Sequence, residues 1–375
     1  MDERVRFVAD HQRGLYAMTD LCARFGISRK TGYKWLARYA AEGARGLVER
    51  SHAPHACPHR ITSELAQLLL AARRSHPRWG PAKLVQYLAP RHPNVAAWPA
   101  LSTVADLLKR HGLVRARRRR RSIIHPGVVP IVTTGPNDLW TADFKGQFRT
   151  RNGVYCYPLT IADQHTRYLL RVQALLSTRC VGVRPVFERA FRAFGLPRAV
   201  RTDNGVPSAN TGLHGLTQLN VWWIRLGIQH QRIHPASPQE NGAHERMHRT
   251  LKAETTRPPA VDCRRQQHTF AAFRREYNEE RPHAALNGDP PAARYQPSGR
   301  AYPAQLPPLE YPGHFLVKRV TNAGTIRFKH KLLFLANALK QHHVGLEESA
   351  DGVWSLYLGP VLLGRLEERT MKVYG

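Results

Sequence analysis

The pattern of apolar and polar positions divides the chain into helical, mixed and strand-rich stretches. Apolar residues recur with helical spacing over 19–39 and in several short segments of 59–114. From about residue 137, short segments in which apolar and polar residues alternate are interspersed with segments of amphipathic helical pattern, which indicates strands packed against helices. After a proline-rich connector at 290–313, the pattern predicts six short strands. This order predicts a multi-domain α+β protein with N-terminal helical units, a mixed α/β core and a C-terminal small β-barrel.

The segment 19–39 is typical of a helix-turn-helix. Gly26 can supply the left-handed turn, and Ser28 is placed to cap the second helix. The polar side of that second helix would suit the major groove of DNA, while Tyr33 and Trp35 are expected to help cover the core. An ordinary helical hairpin with a solvated basic face is the alternative. The DNA-binding candidates on this helix are Arg29, Lys30, Thr31, Lys34 and Arg38.

A second helical DNA-binding unit is predicted over 59–114. One of its three short helices is expected to start at Pro81, a residue that is favoured at the first helical position. Ser102 is expected to cap the third helix, which ends near Gly112 and is the expected groove reader of this unit.

A basic linker arm follows at 115–136. Six of the seven residues in 115–121 are arginine, and such a run favours an extended arm until an anion neutralises it. Each phosphate contact would release counterions and steepen the salt dependence of binding. We therefore expect the arm to lie along DNA, with a solvated charge run as the alternative. The candidates are Arg117, Arg118, Arg119, Arg120 and Arg121.

Charge supports the same partner. The 375 residues include 57 Lys and Arg against 27 Asp and Glu, a formal net charge of +30. Arginine makes up 46 of these cations, and its planar guanidinium binds phosphate through two hydrogen bonds. A coding bias of the genome could explain the preference for arginine over lysine, but it does not explain the shortage of acids. A polyanionic partner is therefore expected.

Cysteine usage and hydropathy indicate the compartment. The five cysteines are scattered and form no C-x-x-C pair, which favours buried thiols in a reducing compartment and argues against structural zinc. The charged start and the lack of a long apolar run predict neither a secretory signal nor a membrane span. A cytoplasmic, nucleoid-associated bacterial protein is the expectation.

Three acids stand out against this basic background. Asp143 lies on a strand opposite its apolar neighbours, Asp203 ends a strand before Asn-Gly, and Glu245 lies one turn inside a helix. Singly, they could be a surface strand residue, an Asx-turn and a helix-dipole acid, and Asp138 and Asp163 are assigned to such turn roles. Together, three carboxylates would repel one another unless a divalent cation compensated them. Oxygen ligands favour Mg²⁺ or Mn²⁺ over zinc.

The three acids fall in motifs that keep a fixed order. The motifs are WTADF (140–144), TDNG (202–205) and SPQENGAHE (237–245). This set resembles the catalytic core shared by retroviral integrases and bacterial insertion-sequence transposases, the DDE, RNase H-like superfamily. The resemblance continues through YNEERPHAAL (277–286), covers about 137–300 and implies an RNase H-like mixed α/β core.

The resemblance implies that Asp143, Asp203 and Glu245 are catalytic and bind two Mg²⁺ ions, with Mn²⁺ as a possible substitute. The two-metal arrangement would serve phosphoryl transfer on DNA. The interval between Asp203 and Glu245 is longer than usual in the superfamily, and an insertion at 208–220 accounts for the excess. Candidates for gripping the DNA end beside Glu245, unless they form only a solvated basic stripe, are Asn241, Arg249 and Lys252.

We therefore predict a DDE transposase that binds the terminal inverted repeats of a mobile element and catalyses Mg²⁺-dependent strand cleavage and strand transfer. Its expected partners are double-stranded DNA, both terminal repeats and target, and further copies of itself. The alternatives are a non-catalytic DNA-binding regulator and an RNase H-like nuclease acting on hybrids or junctions. The predicted domain boundaries are 1–58, 59–114, 115–136, 137–300 and 301–375.

Overall fold

The protein is described by a computed structural model over residues 2–50, 61–114, 133–202, 216–232 and 242–374. It divides into two compact units, Met1–Thr62 and Ser63–Gly375. The α-helices of the described residues are α1 Asp2–Gln12, α2 Met18–Arg24, α3 Arg29–Glu42, α4 Ser63–Ser75, α5 Pro81–Leu88, α6 Leu101–Arg110, α7 Cys180–Phe194, α8 Gln218–Arg225, α9 Gly242–Thr255 and α10 Cys263–Glu279. The strands are β1 Leu139–Phe144, β2 Phe148–Arg149, β3 Tyr155–Asp163, β4 Leu169–Leu175, β5 Ala199–Thr202, β6 Gln229–Arg232, β7 Leu316–Arg319, β8 Thr325–Phe328, β9 Lys331–Phe334, β10 His343–Ala350, β11 Val353–Leu358, β12 Val361–Glu367 and β13 Lys372–Tyr374.

The smaller unit contains the predicted helix-turn-helix. Gly26 has a left-handed φ of +63°, and the Thr31 N–H donates to the Ser28 hydroxyl oxygen at 3.2 Å, so both turn and cap are confirmed. Phe7 of α1 fills the centre, with edge-on ring contacts to Phe25 and Trp35. These contacts fix α3 across α1 and α2.

One expectation for α3 is wrong. Tyr33 is 59% exposed and does not cover the core. Gly32 takes the buried position instead, where a Cβ would come within 2.8 Å of the Cys22 Sγ. Because successive helical residues are turned by about 100°, Tyr33 lies on the exposed side together with Lys30 and Lys34.

The second helical unit belongs to the larger of the two compact units. Its α5 begins at Pro81, as predicted, and Gly80 is the N-cap residue. Ser102 does not cap α6, because the Val104 N–H already bonds to the Ala100 carbonyl and the helix starts at Leu101. Ser102 therefore lies within the first turn.

A mixed sheet forms the centre of the larger unit. Its long strands follow the order β4, β3, β1, β5, β6, with short β2 paired to the start of β3. β3 is antiparallel to β1 and β4, while β5 runs parallel to β1 and β6 parallel to β5. The predicted mixed α/β core is thus confirmed.

Helices cover both faces of this sheet. Trp140 and Ile161 point towards α7 and α8, where they pack against Phe187, Phe191 and Trp223. On the other face, β3 and β4 pack against the apolar side of α9 and α10. Side chains alternate along a strand, so β1 directs Trp140 and Ala142 to one layer and Thr141 and Asp143 to the other.

The segment 277–286 joins three of these elements. The Asn278 side chain accepts from the Leu169 N–H and donates to the Leu169 carbonyl, which ties α10 to β4. Arg281 makes two parallel hydrogen bonds of 3.0 Å to Glu254 near the end of α9. His76, at the end of α4, lies 3.5 Å from Glu276. This segment therefore fixes α9 relative to the sheet and to the second helical unit.

The predicted C-terminal β-barrel is not confirmed. The described strands form an open five-stranded antiparallel sheet in the order β13, β12, β11, β10, β7, with β8 and β9 as a separate hairpin. The hairpin packs its apolar residues onto the sheet instead of bonding to its edges, which leaves two layers. The sequence pattern also missed a seventh strand, β13.

Helix α8 buries apolar residues on two sides because it lies between two cores. Leu219 and Trp223 pack into the mixed-sheet core, whereas Val221 and Ile224 pack into the C-terminal β layers. None of the helices in the described residues has the length and apolar composition needed to cross a membrane. The described cysteines are free thiols.

Candidate functional site

The candidate site lies where β1 passes under the first turns of α9. Asp143 is 18% exposed on the sheet face that α9 covers. Glu245 is in the first turn of α9 and is exposed, while His244 and His248 of the same helix are buried. Glu245 therefore faces solvent at the end of α9 that carries the positive end of the helix dipole.

A buried hydroxyl connects this helix to the strand of Asp143. Thr160 on β3 lies directly opposite Asp143 on β1, and its Oγ1 lies 2.6 Å from Nε2 of His244 and 2.7 Å from Nε2 of His248. The same hydroxyl donates to the Asp143 carbonyl at 3.0 Å. The Thr141 Oγ1 lies 2.8 Å from the remaining ring nitrogen of His244, Nδ1.

These contacts assign the imidazole protons. A carbonyl oxygen can only accept, so the arrangement that satisfies all three contacts has Thr160 donating its single proton to Asp143 and both Nε2 atoms donating to Thr160. Burial lowers the pKa of His244 to about 3, and burial reinforced by His244 and Lys145 lowers the pKa of His248 to about 2. Both rings are therefore neutral, with a lone pair on each Nδ1.

The two Nδ1 lone pairs meet different partners. That of His244 accepts from the Thr141 hydroxyl at 2.8 Å, a shorter contact than the 3.3 Å from the same hydroxyl to the Ala162 carbonyl. That of His248 lies 3.7 Å from Oδ2 of Asp143, beyond hydrogen-bonding distance. A carboxylate oxygen and an imidazole lone pair thus lie side by side.

This pair fits a divalent cation. The side chains of Asp143, His244 and His248 offer ligand atoms that all lie within 4.8 Å of one another. An octahedral cation with ligands at about 2.1 Å keeps neighbouring ligand atoms about 3.0 Å apart. The 3.7 Å between Asp143 and His248 is longer, so the two atoms would have to approach by about 0.7 Å to bind one cation together. His244 is excluded as a ligand in this arrangement because both its nitrogens bond to threonine hydroxyls.

The strand that leads to Asp203 lies next to β1. Ala142 of β1 pairs with Thr202, the last residue of β5. Thr202 bonds through its hydroxyl to His230 Nε2 at 2.9 Å, and Nδ1 of His230 accepts from Asn220 at 3.1 Å. This network fixes the end of β5 against β6 and α8. Asp203 itself lies outside the described residues.

The acids assigned to turns have those roles. The Asp138 carboxylate accepts from the Thr134 N–H and hydroxyl and from the Gly135 N–H. Asp163 is 1% exposed and accepts from Asn137 and from the N–H and hydroxyl of Thr166. Hydrogen bonds inside the fold therefore account for both carboxylates.

The DNA-binding candidates are mostly on the surface. Arg249 and Lys252 are exposed on the Glu245 side of α9, and Arg29, Lys30 and Lys34 are exposed on α3. Thr31 and Arg38 are half-buried, and the Thr31 hydroxyl lies 2.9 Å from that of Ser28. The candidates outside the described residues are Asn241, Arg117, Arg118, Arg119, Arg120 and Arg121.

Sequence reasoning missed the buried part of the site. His244 and His248 are four residues apart on a helix, a spacing that places both on one face, and this signal was present in the motif around Glu245. Thr141 was also visible as the residue two positions before Asp143 on the same strand face. Thr160 carried no signal, because only strand pairing brings it opposite Asp143.

Family comparisons agree with this architecture. Two models, each described as "Integrase core domain", match residues 133–238 and 226–291. A "Helix-turn-helix domain" matches residues 3–55, and a "Homeodomain-like domain" matches 31–108. The N-terminal helix-turn-helix prediction and the integrase-type core are therefore supported independently of the fold.

Relatives are found in mobile elements. The chain is similar to the insertion element IS476 uncharacterized 39.2 kDa protein of Xanthomonas euvesicatoria, with 28% identity over 64% of this chain and 66% of that protein. It is also similar to the insertion element IS407 uncharacterized 31.7 kDa protein of Burkholderia multivorans, with 28% identity over 46% of this chain and 61% of that protein. The matches thus span less than two thirds of the length of either relative.

A solved structure is similar as well. The HTLV-2 integrase catalytic core domain in complex with magnesium matches with 14% identity and a TM-score of 0.35, over 44% of this chain and 99% of that one. Taken with the domain order, the two integrase core matches show that the chain contains an integrase-type core domain and resembles proteins of insertion elements.

Proposed function

We propose that this protein is a DDE transposase that binds the terminal inverted repeats of its element and catalyses cation-dependent cleavage and transfer of DNA strands. The observation that carries the proposal is that Asp143 on β1 lies against His248 of α9, the helix whose first turn carries Glu245, and that β1 pairs with the strand that leads to Asp203. Helix-turn-helix domains in the same chain support DNA as the substrate.

The proposed cation ligands are Asp143, Asp203 and Glu245, with Mg²⁺ as the metal, two ions in the active complex and Mn²⁺ as a substitute. Carboxylate oxygens are hard ligands, which favours Mg²⁺ and Mn²⁺. When bound, such ions would supply Lewis-acid stabilisation of the attacking and leaving oxygens. The protein's own contribution is to hold carboxylates on rigid elements, and the Thr160 hydrogen bonds do so for the β1 backbone at Asp143.

Two transfers would use this site in turn. In the first, a water oxygen attacks phosphorus at the end of the element, the bond between phosphorus and the 3′ oxygen breaks, and a 3′-hydroxyl is released. In the second, this hydroxyl oxygen attacks a target phosphodiester and loses its proton, and the target strand leaves with its own 3′-hydroxyl. Only the nucleophile differs between the steps, so one set of ligands can serve both.

Binding would involve several surfaces. We assign repeat recognition to α3, whose Lys30 and Lys34 are exposed, and phosphate contacts near the reacting end to Arg249 and Lys252. The contribution of the arginine arm and of Asn241, and assembly into a homo-oligomer on DNA, belong to the same proposal. The net charge of +30 favours each of these contacts.

The test uses full-length protein with labelled duplexes that carry the element ends and with Mg²⁺ or Mn²⁺. Asp143→Asn and Glu245→Gln should each abolish cleavage and strand transfer while leaving binding of the ends within about twofold, because neither removes a cationic DNA contact. Asp138→Asn is the matched control and should retain joining, since the Asp138 carboxylate accepts hydrogen bonds from Thr134 and Gly135 of its own turn. Undiminished strand transfer by Asp143→Asn would refute the proposal.

Two further outcomes would favour the alternatives. Salt-sensitive binding of the ends without cation-dependent nicking by the unmodified protein would indicate a regulator. Faster cutting of RNA–DNA hybrids than of duplex ends would indicate a nuclease of the same fold.

A further inference from the structure

The buried side of the candidate site contains one polar atom that the proposed three-acid mechanism does not use. Nδ1 of His248 lies 3.7 Å from Oδ2 of Asp143, on a ring that is 4% exposed. The ring cannot turn freely, because Nε2 bonds to Thr160 at 2.7 Å and the ring packs perpendicular to that of His244 at a centroid distance of 4.6 Å. Nδ1 is therefore held in a fixed direction.

The hydrogen-bond chain also determines what Nδ1 offers. The Asp143 carbonyl takes the Thr160 proton, Thr160 accepts from Nε2 of His248, and the neutral ring keeps a lone pair on Nδ1. Nδ1 of His248 and a carboxylate oxygen of Asp143 can then serve together as ligand atoms of one cation. In metal-binding proteins, an imidazole that binds the metal through one nitrogen is commonly oriented by a hydrogen bond from its other nitrogen to an oxygen.

We propose that His248 is a nitrogen ligand of the divalent cation bound by Asp143, oriented by Thr160. This inference rests on the proposed function, because it concerns the cation of that same site. It makes the site a mixed one, with an imidazole nitrogen added to carboxylate oxygens. His244 has a different role: both its nitrogens are used by Thr141 and Thr160, so it packs and positions His248.

A mixed ligand set has a consequence for metal choice. Imidazole suits transition metals, whereas Mg²⁺ prefers oxygen and water. The ratio of Mn²⁺ affinity to Mg²⁺ affinity should therefore be larger for the unmodified protein than for a site made of carboxylates alone. Removing the nitrogen should reduce this difference.

The test uses Mn²⁺ as probe and full-length protein, and it needs no catalytic turnover. Electron spin-echo envelope modulation detects a ¹⁴N nucleus bound directly to Mn²⁺. The unmodified protein should show imidazole nitrogen modulation, and Asp143→Asn should lose the bound Mn²⁺ itself. Titration calorimetry with Mn²⁺ and with Mg²⁺ gives the two affinities.

Two substitutions of His248 separate ligation from packing. In His248→Gln the carboxamide reaches the position of Nε2, so the bond to Thr160 can persist while the Nδ1 ligand is lost. This variant should lose the nitrogen modulation and bind Mn²⁺ about tenfold or more weakly, since even indirect partners of metal sites are worth about that much. In His248→Asn the carboxamide oxygen reaches the position of Nδ1, so Mn²⁺ binding should be weakened less and the nitrogen signal should still disappear.

The outcomes distinguish this inference from the function on which it rests. Asp143-dependent Mn²⁺ binding without nitrogen modulation, or with modulation that persists in His248→Gln, would overturn the His248 assignment and leave the proposed function standing. Asp143-dependent binding with modulation lost in both His248 variants would support it. No Asp143-dependent binding, together with no strand transfer, would overturn both proposals.

Discussion

Thr160 on β3 lies directly opposite Asp143 on β1 and donates its hydroxyl proton to the Asp143 carbonyl. Through the other side of the same oxygen it accepts from His244 and His248 of α9. One hydroxyl thus holds together the strand that carries one candidate ligand and the helix that carries another, Glu245. It is buried, so water cannot replace it.

This relationship predicts a large effect of a small substitution. Thr160→Val keeps the shape but leaves two N–H groups and one carbonyl without their partner, and we expect it to lower the free energy of unfolding by about 2–4 kcal/mol. Thr160→Ser keeps the hydroxyl and is the matched control, with a smaller loss. Urea denaturation followed by fluorescence measures both, and a Val variant as stable as the Ser variant would contradict the assignment.

The buried ion pair beyond the site supports a second prediction. Arg281→Met leaves Glu254 without its two hydrogen bonds, and removing one partner of a buried pair costs about 3–5 kcal/mol. We expect the lower end of this range because Lys83 also interacts with Glu254. Arg192→Gln, which breaks the exposed pair with Glu188, should cost less than about 1 kcal/mol. Equal losses of stability in the two variants would show that Arg281 does not anchor α9.

Contacts between residues that are close in the sequence could be predicted from it, whereas contacts between residues far apart in the sequence could not. Alternation along one strand correctly separated Asp143 from Trp140, and the turn residues Gly26 and Ser28 have the predicted roles, because these signals are local. Thr160 could not be found in this way, since it lies on a different strand and its pairing with Asp143 depends on register.

The errors have the same origin. Tyr33 was assigned to the core as an aromatic residue, but the close approach of α1 and α2 to α3 selects Gly32 for the buried position. The barrel was predicted from the number of short strands. Closure of a barrel requires the edge strands of the sheet to pair with each other, and the number of strands does not determine whether they do so. The three acids remain predictions, with Asp143 and Glu245 placed near the same end of α9.

A third prediction concerns DNA binding by α3. Lys34→Ala should weaken binding to all duplexes by a similar factor and reduce the slope of log K against log salt by about one, because it removes one phosphate contact. Tyr33→Ala should instead reduce the preference for the element's ends over other duplexes, since an exposed aromatic ring between Lys30 and Lys34 can contact bases. Arg13→Ala, which removes an exposed cation paired with Asp10, is the control. Identical effects of Lys34→Ala and Tyr33→Ala on the salt slope would contradict this division.

The fourth prediction is a pH dependence of stability due to His283. Burial, with the positive charges of Lys83, Arg281 and Arg167, lowers the pKa of this imidazole to about 4. In the unfolded chain its pKa is about 6.5, so between these values the unfolded state binds the extra proton and stability rises with pH. The contribution is complete above about pH 6.5, decreases as the pH falls towards 4, and amounts to at most about 3 kcal/mol. His283→Gln should therefore flatten the curve of unfolding free energy between pH 4.5 and 6.5, whereas replacement of the exposed His111 by Gln should leave it unchanged. Equal slopes for His283→Gln and the unmodified protein would show that His283 is not held neutral by the fold.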